Sequence, residues 1–493
     1  MGLFQTVRDW IMNVFKSEAE NKFQAAIIRS AEMEIAQKRW AMIINGNPQW
    51  RDAEDGIDTI NFAKFISYFC AKKICLDINV KVEGSERADY IQKCVKAMLA
   101  KSIRDKVEDA CNCGGIILKP NGNYMYNNAI DYVMPGDFAV TEKNSNGEIL
   151  GIIFVDRLQK GDDYYTRLEY QHFTTAEVAE GEQGRVYAIE NKAFRSNKDG
   201  VLGREIPLTA VDEWKDIEPE LLIDKVEKPL FGYFKMPYNN TIDYNSPEGV
   251  AVFHNCLQEL KALDVAFSRK ADEVEDSKHL TFIDENSMRS KADKENPSGK
   301  KIRLPRFVKG LKSGVNDDGR SVSEHVATML TEARIADINS TLSMISTKCG
   351  FSQGQFVLDR KSGRITATQI ESDDSETVET ITDMRTNLKS AIVDLCYAID
   401  KYCDIFFDMP SGYVNVLDES VPEEDIFYFR DLLTTFEQDR TRAYNLVQTG
   451  MYSKKKYLVE YEGFSEEEAE EMLAEADNEK KKSQMEGLYK EDE

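Results

Sequence analysis

Hydrophobic positions recur along this chain with two different periods. Phe4, Val7, Trp10, Ile11, Val14 and Phe15 share one helical face. They predict an opening amphipathic helix suited to docking on a partner or lying on a membrane surface. Helical spacing continues over about 20–44, 58–74, 86–98 and 100–111. From about 115 to 201 the apolar positions alternate instead, as in Gly114-Gly115-Ile116-Ile117-Leu118, Ile149-Leu150-Gly151-Ile152-Ile153-Phe154-Val155 and Tyr164-Tyr165-Thr166-Arg167-Leu168-Glu169-Tyr170. Asn121-Gly122-Asn123, Ser145-Asn146-Gly147 and Lys160-Gly161-Asp162-Asp163 supply hairpin turns between such segments. The first half of the chain therefore reads as an α+β domain.

Helices dominate the second half. Ser246-Pro247-Glu248 offers an N-cap, a proline at the first helical position and an acid in the first turn. A long helix is predicted from there, with Val250, Phe253, Leu257, Leu260, Phe267, Ala271 and Val274 along a narrow seam. The stretch 278–320 loses periodicity, gains Pro297 and Pro305, and reads as a compact insertion. A second helix follows over about 322–348 on Val326, Leu330, Ala333, Ile338, Leu342 and Ile345, so the two helices can run antiparallel on either side of the insertion. After the turn Asp359-Arg360-Lys361-Ser362-Gly363, Thr366 and Gln369 form a capping box for a third helix, running through Val378, Ile381, Met384, Leu388, Leu395 and Ile399. Its roughly 40 residues would span about 60 Å, which suggests support from outside one subunit. Acidic helices are predicted near 422–450 and 465–481.

Composition narrows the class of protein. Apolar residues at 42% and charged residues at 30% suit a folded chain of 493 residues with several structural units. No apolar run approaches the roughly 20 residues that span a bilayer, and no basic, apolar and cleavable leader opens the chain. The chain is expected to remain in the cytosol where it is made, with its nine cysteines as reduced, buried thiols. Cys111 and Cys113 lack a second pair at zinc-finger spacing, so they read as core residues, and no metal or cofactor is required. The net charge of −24 disfavours tight nucleic-acid binding. Charge is nevertheless uneven: 278–320 holds 11 Lys and Arg against 6 Asp and Glu, whereas 418–493 holds 10 against 22.

Enzyme motifs are incomplete. Gly350-Phe351-Ser352-Gln353-Gly354 matches the nucleophile-elbow pattern, but a helix rather than a strand precedes it, and His172, His254, His279 and His325 all lie upstream. Walker A, H-E-x-x-H and G-x-G-x-x-G motifs are missing from the sequence. The clusters Asp272-Glu273-Val274-Glu275-Asp276 and Glu371-Ser372-Asp373-Asp374 have the donors for Mg²⁺, yet acids on helix faces and at a helix start account for them.

Three segments carry a family likeness: Tyr165-Thr166-Arg167-Leu168-Glu169-Tyr170-Gln171-His172, Gly350-Phe351-Ser352 leading into Thr366-Ala367-Thr368-Gln369-Ile370, and Gly450-Met451-Tyr452-Ser453. With the order of elements over nearly the whole chain, they resemble phage portal proteins of the SPP1-like group. The resemblance implies an α+β, predominantly helical fold. Its parts would be an α+β wing at 1–246, a first stem helix at 247–277 and a clip at 278–320. A second stem helix at 321–348 would follow, then a tunnel loop and a long tunnel helix at 349–407 that returns to the wing, and an acidic helical crown and tail at 408–493.

The function implied by this likeness is a ring, a dodecamer in the capsid, that passes double-stranded DNA during packaging and ejection. No enzymatic turnover belongs to that role. The implied partners are the terminase large subunit, a head-completion adaptor and the major capsid and scaffolding proteins. The ring would sit at the capsid portal vertex after assembly in the host bacterial cytoplasm, without a membrane. Arg360, Lys361 and Arg364 are the candidate DNA-channel residues, and Arg303, Arg306 and Lys309 the candidate docking residues of the clip. The alternatives are another phage head component, such as an adaptor or minor head protein, and a metal-dependent nuclease. Adaptors are usually shorter and lack three long helices around an insertion, while a nuclease would show metal-dependent turnover.

Overall fold

In the computed structural model, the described residues are 19–476 apart from 53, 83–84, 102, 123–124, 126–127, 180–181, 277–279, 285–307, 312–321, 326–330, 359–374, 407–426, 430–435 and 466. The opening amphipathic segment at 4–15 lies outside them. The chain divides into two units, Met1–Phe429 and Arg430–Glu493.

The first unit begins with an interrupted helix. Residues 19–23 are helical, Gln24 adopts a left-handed φ of 52°, and 25–30 run without helical structure. Ile28 donates its N–H to Val140 O at 2.7 Å. Helix α1 (Ala31–Ile44) then restarts on Ser30, whose hydroxyl accepts from Met33 N at 3.2 Å. The single helix expected over 20–44 is therefore two pieces, because the backbone between them bonds to a strand. Helix α2 (Phe62–Ile74) and strand β1 (Ile78–Val80) follow, then helices α3 (Glu86–Lys101) and α4 (Ile103–Cys113).

Strands β2 (Gly115–Pro120), β3 (Ile130–Val133), β4 (Phe138–Lys143), β5 (Ile149–Lys160), β6 (Asp163–Ala179), β7 (Glu182–Ser196), β8 (Arg204–Ile206), β9 (Glu220–Ile223) and β10 (Gly232–Lys235) complete the α+β region. One sheet has the order β10-β2-β3 and the other β4-β5-β6-β7-β8, with β9 also paired to β7. Both predicted hairpin turns joining β4 to β5 and β5 to β6 are present. Asn144 Oδ1 accepts from Asn146 N and Glu148 N, ahead of Gly147 at φ 83°. Lys160 pairs with Asp163 across Gly161 at φ 63°.

The helix expected directly after Ser246-Pro247-Glu248 starts later. Ser246 Oγ accepts from Glu248 N at 3.2 Å, closing a local turn. The buried Glu248 carboxylate reaches back to Arg29 Nε at 2.7 Å and Gln37 Nε2 at 2.8 Å. Gly249 lies against Gly114, so close that a Cβ would sit 2.0 Å from Gly114 O. Val250, Ala251, Val252 and Phe253 are all buried. Val252 N donates to Cys111 O at 3.0 Å, which ties this stretch to the end of α4. Helix α5 (Leu257–Asp276) begins only after the short 3₁₀ turn His254–Cys256.

Strands β11 (Leu280–Asp284), β12 (Val308–Leu311) and β13 (Val322–His325) form a sheet in which β11 runs parallel to β12 and antiparallel to β13. Residues 322–325, expected to open the second helix, are thus strand, because they pair with a segment forty residues earlier. The helix itself is α6 (Thr331–Lys348), with Ile338, Leu342 and Ile345 buried. Lys348 meets Glu259 at 2.7 Å and Arg334 meets Glu273 at 2.9 Å, so α5 and α6 are antiparallel.

Helix α7 (Ser375–Phe406) contains 32 residues and is about 48 Å long. The capping box at Thr366 and Gln369 lies outside the described residues. Ile381, Met384, Leu388, Ile392, Leu395, Ile399 and Tyr402 are buried at successive turns. Residues of α2, α3, β2 and β10 pack along it. These elements of the same chain support the helix on the side they bury. Strand β14 (Phe427–Phe429), expected as helix, pairs with β1.

The second unit contains α8 (Phe436–Gln448), α9 (Lys454–Tyr461) and a helical stretch over 467–476. Ser453 caps α9, and Arg440 holds Glu462 with two N–H groups at 2.8 and 3.1 Å. Among the described residues no helix is long and apolar enough to cross a membrane.

Gly232 sits beneath α7, where a Cβ would lie 1.9 Å from Ala391 O. Backbone on both sides cannot yield as a side chain would. Gly232→Ala is expected to cost about 1–3 kcal/mol or more, read as a lower midpoint in urea unfolding.

Candidate functional site

The connection between α6 and α7 is held at both ends. Helix α6 closes on Gly350, in the left-handed region at φ 75°, with Gly350 N donating to Thr347 O at 3.0 Å and Phe351 N to Ser346 O at 2.9 Å. These two bonds satisfy carbonyls that the end of a helix leaves free. Thr380 Oγ1 of α7 donates to Gly350 O. One turn nearer the start of α7, Ser352 N donates to Thr377 Oγ1 at 3.0 Å and Thr377 N to Ser352 Oγ at 3.3 Å. Phe351, buried beside Phe69 and Phe356, fixes the apolar side of the same junction. Ser352 and Thr377 thus tie the end of α6 to the start of α7; beyond Ser352 the chain stays on the body, with Phe356 against Phe69 and Leu358 N donating to Asn339 Oδ1 at 3.0 Å. The Ser352 hydroxyl, 4% exposed as a residue, is committed to Thr377, which explains the Gly-x-Ser-x-Gly match without chemistry at the serine.

A second excursion leaves the opposite end of α6. The Glu273–Arg334 pair joins the far ends of α5 and α6, and the three-stranded sheet β12-β11-β13 lies in the sequence between them. Lys309 is in β12, opposite Phe282 of β11, with β12 at the edge of that sheet. Arg303 and Arg306 lie outside the described residues, as do Arg360, Lys361 and Arg364. The described residues therefore place the roots of both candidate segments and one of the six candidate side chains' backbone positions.

The segment 165–172 is explained by a buried polar network. Arg167, Glu169 and Gln171 alternate on one side of β6 while Leu168 and Tyr170 enter the core on the other. Lys119 Nζ and Arg167 Nη1 donate to Glu169 Oε2 at 2.7 and 3.0 Å. Tyr187 OH donates to Gln171 Oε1 at 2.9 Å, and Arg167 also donates to Asn191 Oδ1 at 3.0 Å. Burial opposes the charge on Glu169, but Lys119 and Arg167 outweigh it and bring the carboxyl down to about 2. Nothing in the spacing of β6 announces these partners, since Lys119 comes from β2. The polar alternation was visible, and its burial was not.

All nine cysteines are free thiols, and burial pushes Cys113 up to about 12. Among the described residues, no three His, Cys, Asp or Glu side chains gather where they could hold a metal ion.

A family model described as phage portal protein, SPP1 Gp6-like, matches residues 60–482. That span takes in both units and both excursions. No curated relative matches the chain.

Replacing Lys119 removes one of two cations from a buried carboxylate. Lys119→Met is expected to lower stability at neutral pH by about 3 kcal/mol, toward the low end for a broken buried pair because Arg167 remains. The sign with pH follows from the lowered pKa. The contribution of Glu169 is fully present above the ordinary carboxylate range near 4.3 and is lost as pH falls toward 2. Urea midpoints of the parent and Glu169→Gln should differ most above about pH 5 and converge toward pH 2.

Proposed function

Because the chain belongs to the SPP1 Gp6-like family of phage portal proteins, a structural family of the DNA-packaging machinery, we propose that its copies close into a ring of twelve around double-stranded DNA. The observation that supports this reading most is the antiparallel pair α5 and α6 with one excursion at each end of α6, inside a family match that covers both. The wing is assigned to 1–246, the stem to 247–277 and 321–348, the clip to 278–320, the tunnel loop and tunnel helix to 349–407 and the crown to 408–493. Helix α5 forms the first stem helix from Leu257 onward, and α7 forms the tunnel helix that returns to the wing.

In this reading the protein guides DNA and leaves work to an ATP-driven terminase. A net charge of −24 suits a conduit, because each neutralised phosphate adds counterion-release affinity that would slow the duplex. Arg360, Lys361 and Arg364 supply transient phosphate contacts that carry no sequence information. The clip, with its excess of Lys and Arg, meets the terminase large subunit and later the head-completion adaptor through Arg303, Arg306 and Lys309. Major capsid and scaffolding proteins surround the ring at the portal vertex after assembly in the host cytoplasm.

Electron microscopy of the purified chain is expected to show rings with an axial hole wide enough for a duplex. A chain that stays monomeric by light scattering at all concentrations and salts would remove the proposal. Neutralising the loop with Arg360→Gln, Lys361→Gln and Arg364→Gln should leave rings intact and change DNA retention, with an effect that shrinks at high salt. Retention equal to the parent at low salt would remove the role of these residues. Reversing Arg303, Arg306 and Lys309 to Glu should abolish terminase docking while rings still form, and unchanged docking would discard the clip assignment.

A further inference from the structure

Two of the nine thiols touch. Cys256 Sγ lies 3.6 Å from Cys349 Sγ, across 93 positions of sequence, and both side chains are buried. Cys256 ends the 3₁₀ turn that leads into α5, and Cys349 follows directly on the last residue of α6. The contact therefore sits where the antiparallel pair meets Gly350, beside the ion pair of Lys348 with Glu259. A disulfide holds its sulfurs about 2.05 Å apart, so about 1.5 Å of closure separates these thiols from a bond. Both residues stand outside the body of a helix, and side-chain rotation with small shifts of two turns supplies that closure. Cys70 and Cys111, a second pair of facing thiols, lie within α2 and α4, where the same closure would have to move two helices.

We propose that Cys256 and Cys349 are a latent disulfide, closed by hydrogen peroxide once the protein leaves a reducing cytosol, and that the bond locks the start of α5 to the end of α6. Only the change of surroundings rests on the ring reading, in which the chain ends up in a virion; the chemistry of the pair does not. One thiolate attacks a peroxide oxygen, giving a sulfenic acid and hydroxide, and the second sulfur then displaces the sulfenic oxygen as water. Two thiols and one hydrogen peroxide thus become one disulfide and two waters, with each sulfur giving up one electron to the peroxide. The contact with Cys349 and burial together push the Cys256 thiol well above its ordinary range, so little thiolate is present at neutral pH and the reaction is slow. A slow reaction suits a lock that stays open during folding in a reducing compartment and closes afterwards. The cross-link closes a loop containing α5, the strands β11, β12 and β13, and α6, which confines that part of the unfolded chain.

The test incubates the full-length purified chain with hydrogen peroxide at pH 7 and pH 8, then alkylates it under denaturing conditions and maps its peptides by mass spectrometry. The expected product is one peptide pair joining Cys256 to Cys349, formed roughly tenfold faster at the higher pH and opened by dithiothreitol. The thermal midpoint should rise by about 5 °C with the bond and return on reduction. Cys256→Ser and Cys349→Ser, checked for fold by circular dichroism, should lose that rise. Protein alkylated during lysis of the producing cells should carry both thiols unlinked, and a bond already closed there overturns the proposal. It is also overturned if both thiols of the treated parent stay alkylatable, if the linked peptides hold Cys70 and Cys111 instead, or if the midpoint does not move or moves equally in the folded variants. Should both variants unfold, the peptide map and the reversible rise in the parent decide. None of these readings needs a ring, so a chain that fails to assemble removes the ring reading and leaves the disulfide standing.

Discussion

The first unit depends on letting a helix of 32 residues lie against a sheet at backbone distance. Gly232 makes that possible, since any side chain there would meet the Ala391 carbonyl. With β10 drawn up to α7, Leu230 and Phe231 enter two neighbouring core clusters, one holding Tyr397 and Tyr402, the other holding Phe138 and Phe154. The Gly114 and Gly249 approach does the same on the other side of the strand, where α4 ends and the stretch 246–253 passes beneath it. Three small residues thus set the spacing on which helices and sheets agree, and interiors this closely packed do not accept an added methyl group without moving a backbone.

What the sequence made legible was local. Hairpin turns at Asn144–Gly147 and Gly161 follow from turn chemistry within four residues, and the structure has them. Gly350 belonged to a motif that looked enzymatic, and its positive φ at a helix end is the reason for it. Errors arose wherever a distant partner took over a local signal. Ser246-Pro247-Glu248 has every feature of a helix start, but Glu248 answers to Arg29, 219 residues earlier, and the helix waits until Leu257. Val322–His325 joined a helix by periodicity and a sheet by pairing. The third helix seemed too long to stand alone because its partners, from α2 to β10, are scattered through the preceding sequence. As for the candidate site, Lys309 alone of its six side chains has a described backbone position, while the roots of both excursions, Ser352 with Thr377 and Glu273 with Arg334, had no sequence signal beyond residue type.

Charge is used differently in the core and along the sequence. Within the first unit, several buried ions meet counter-ions: Arg29 with Glu248, Arg87 with Asp400 and Asp404, and Lys119 and Arg167 with Glu169, while buried Asp264 is held by Trp50 Nε1 and Ile60 N. Such pairs add little net stability over apolar packing, but each penalises any arrangement that separates its partners. Over the whole sequence the sum is strongly negative, and the stretch 278–320 is an exception. A chain that is negative overall and positive over one stretch makes contacts selective by position along the sequence, since an acidic partner and a phosphate backbone are both repelled by most of it.

The double tie at the neck of residues 353–376 has a mechanical consequence. Ser352 with Thr377 and Gly350 with Thr380 are adjacent rungs joining the end of α6 to the start of α7. On the first side the chain is held again further along, where Phe356 packs against Phe69 and Leu358 N donates to Asn339 Oδ1 of α6, so a pull from that side meets those contacts before it meets the ties. A pull on the chain between Leu358 and Ser375 is thereby divided between contacts to α6 and contacts between α6 and α7, instead of unwinding one helix from its end. The neck acts as a strain relief, of the kind fitted where a cable enters a housing: the cable can be tugged while its terminals stay still.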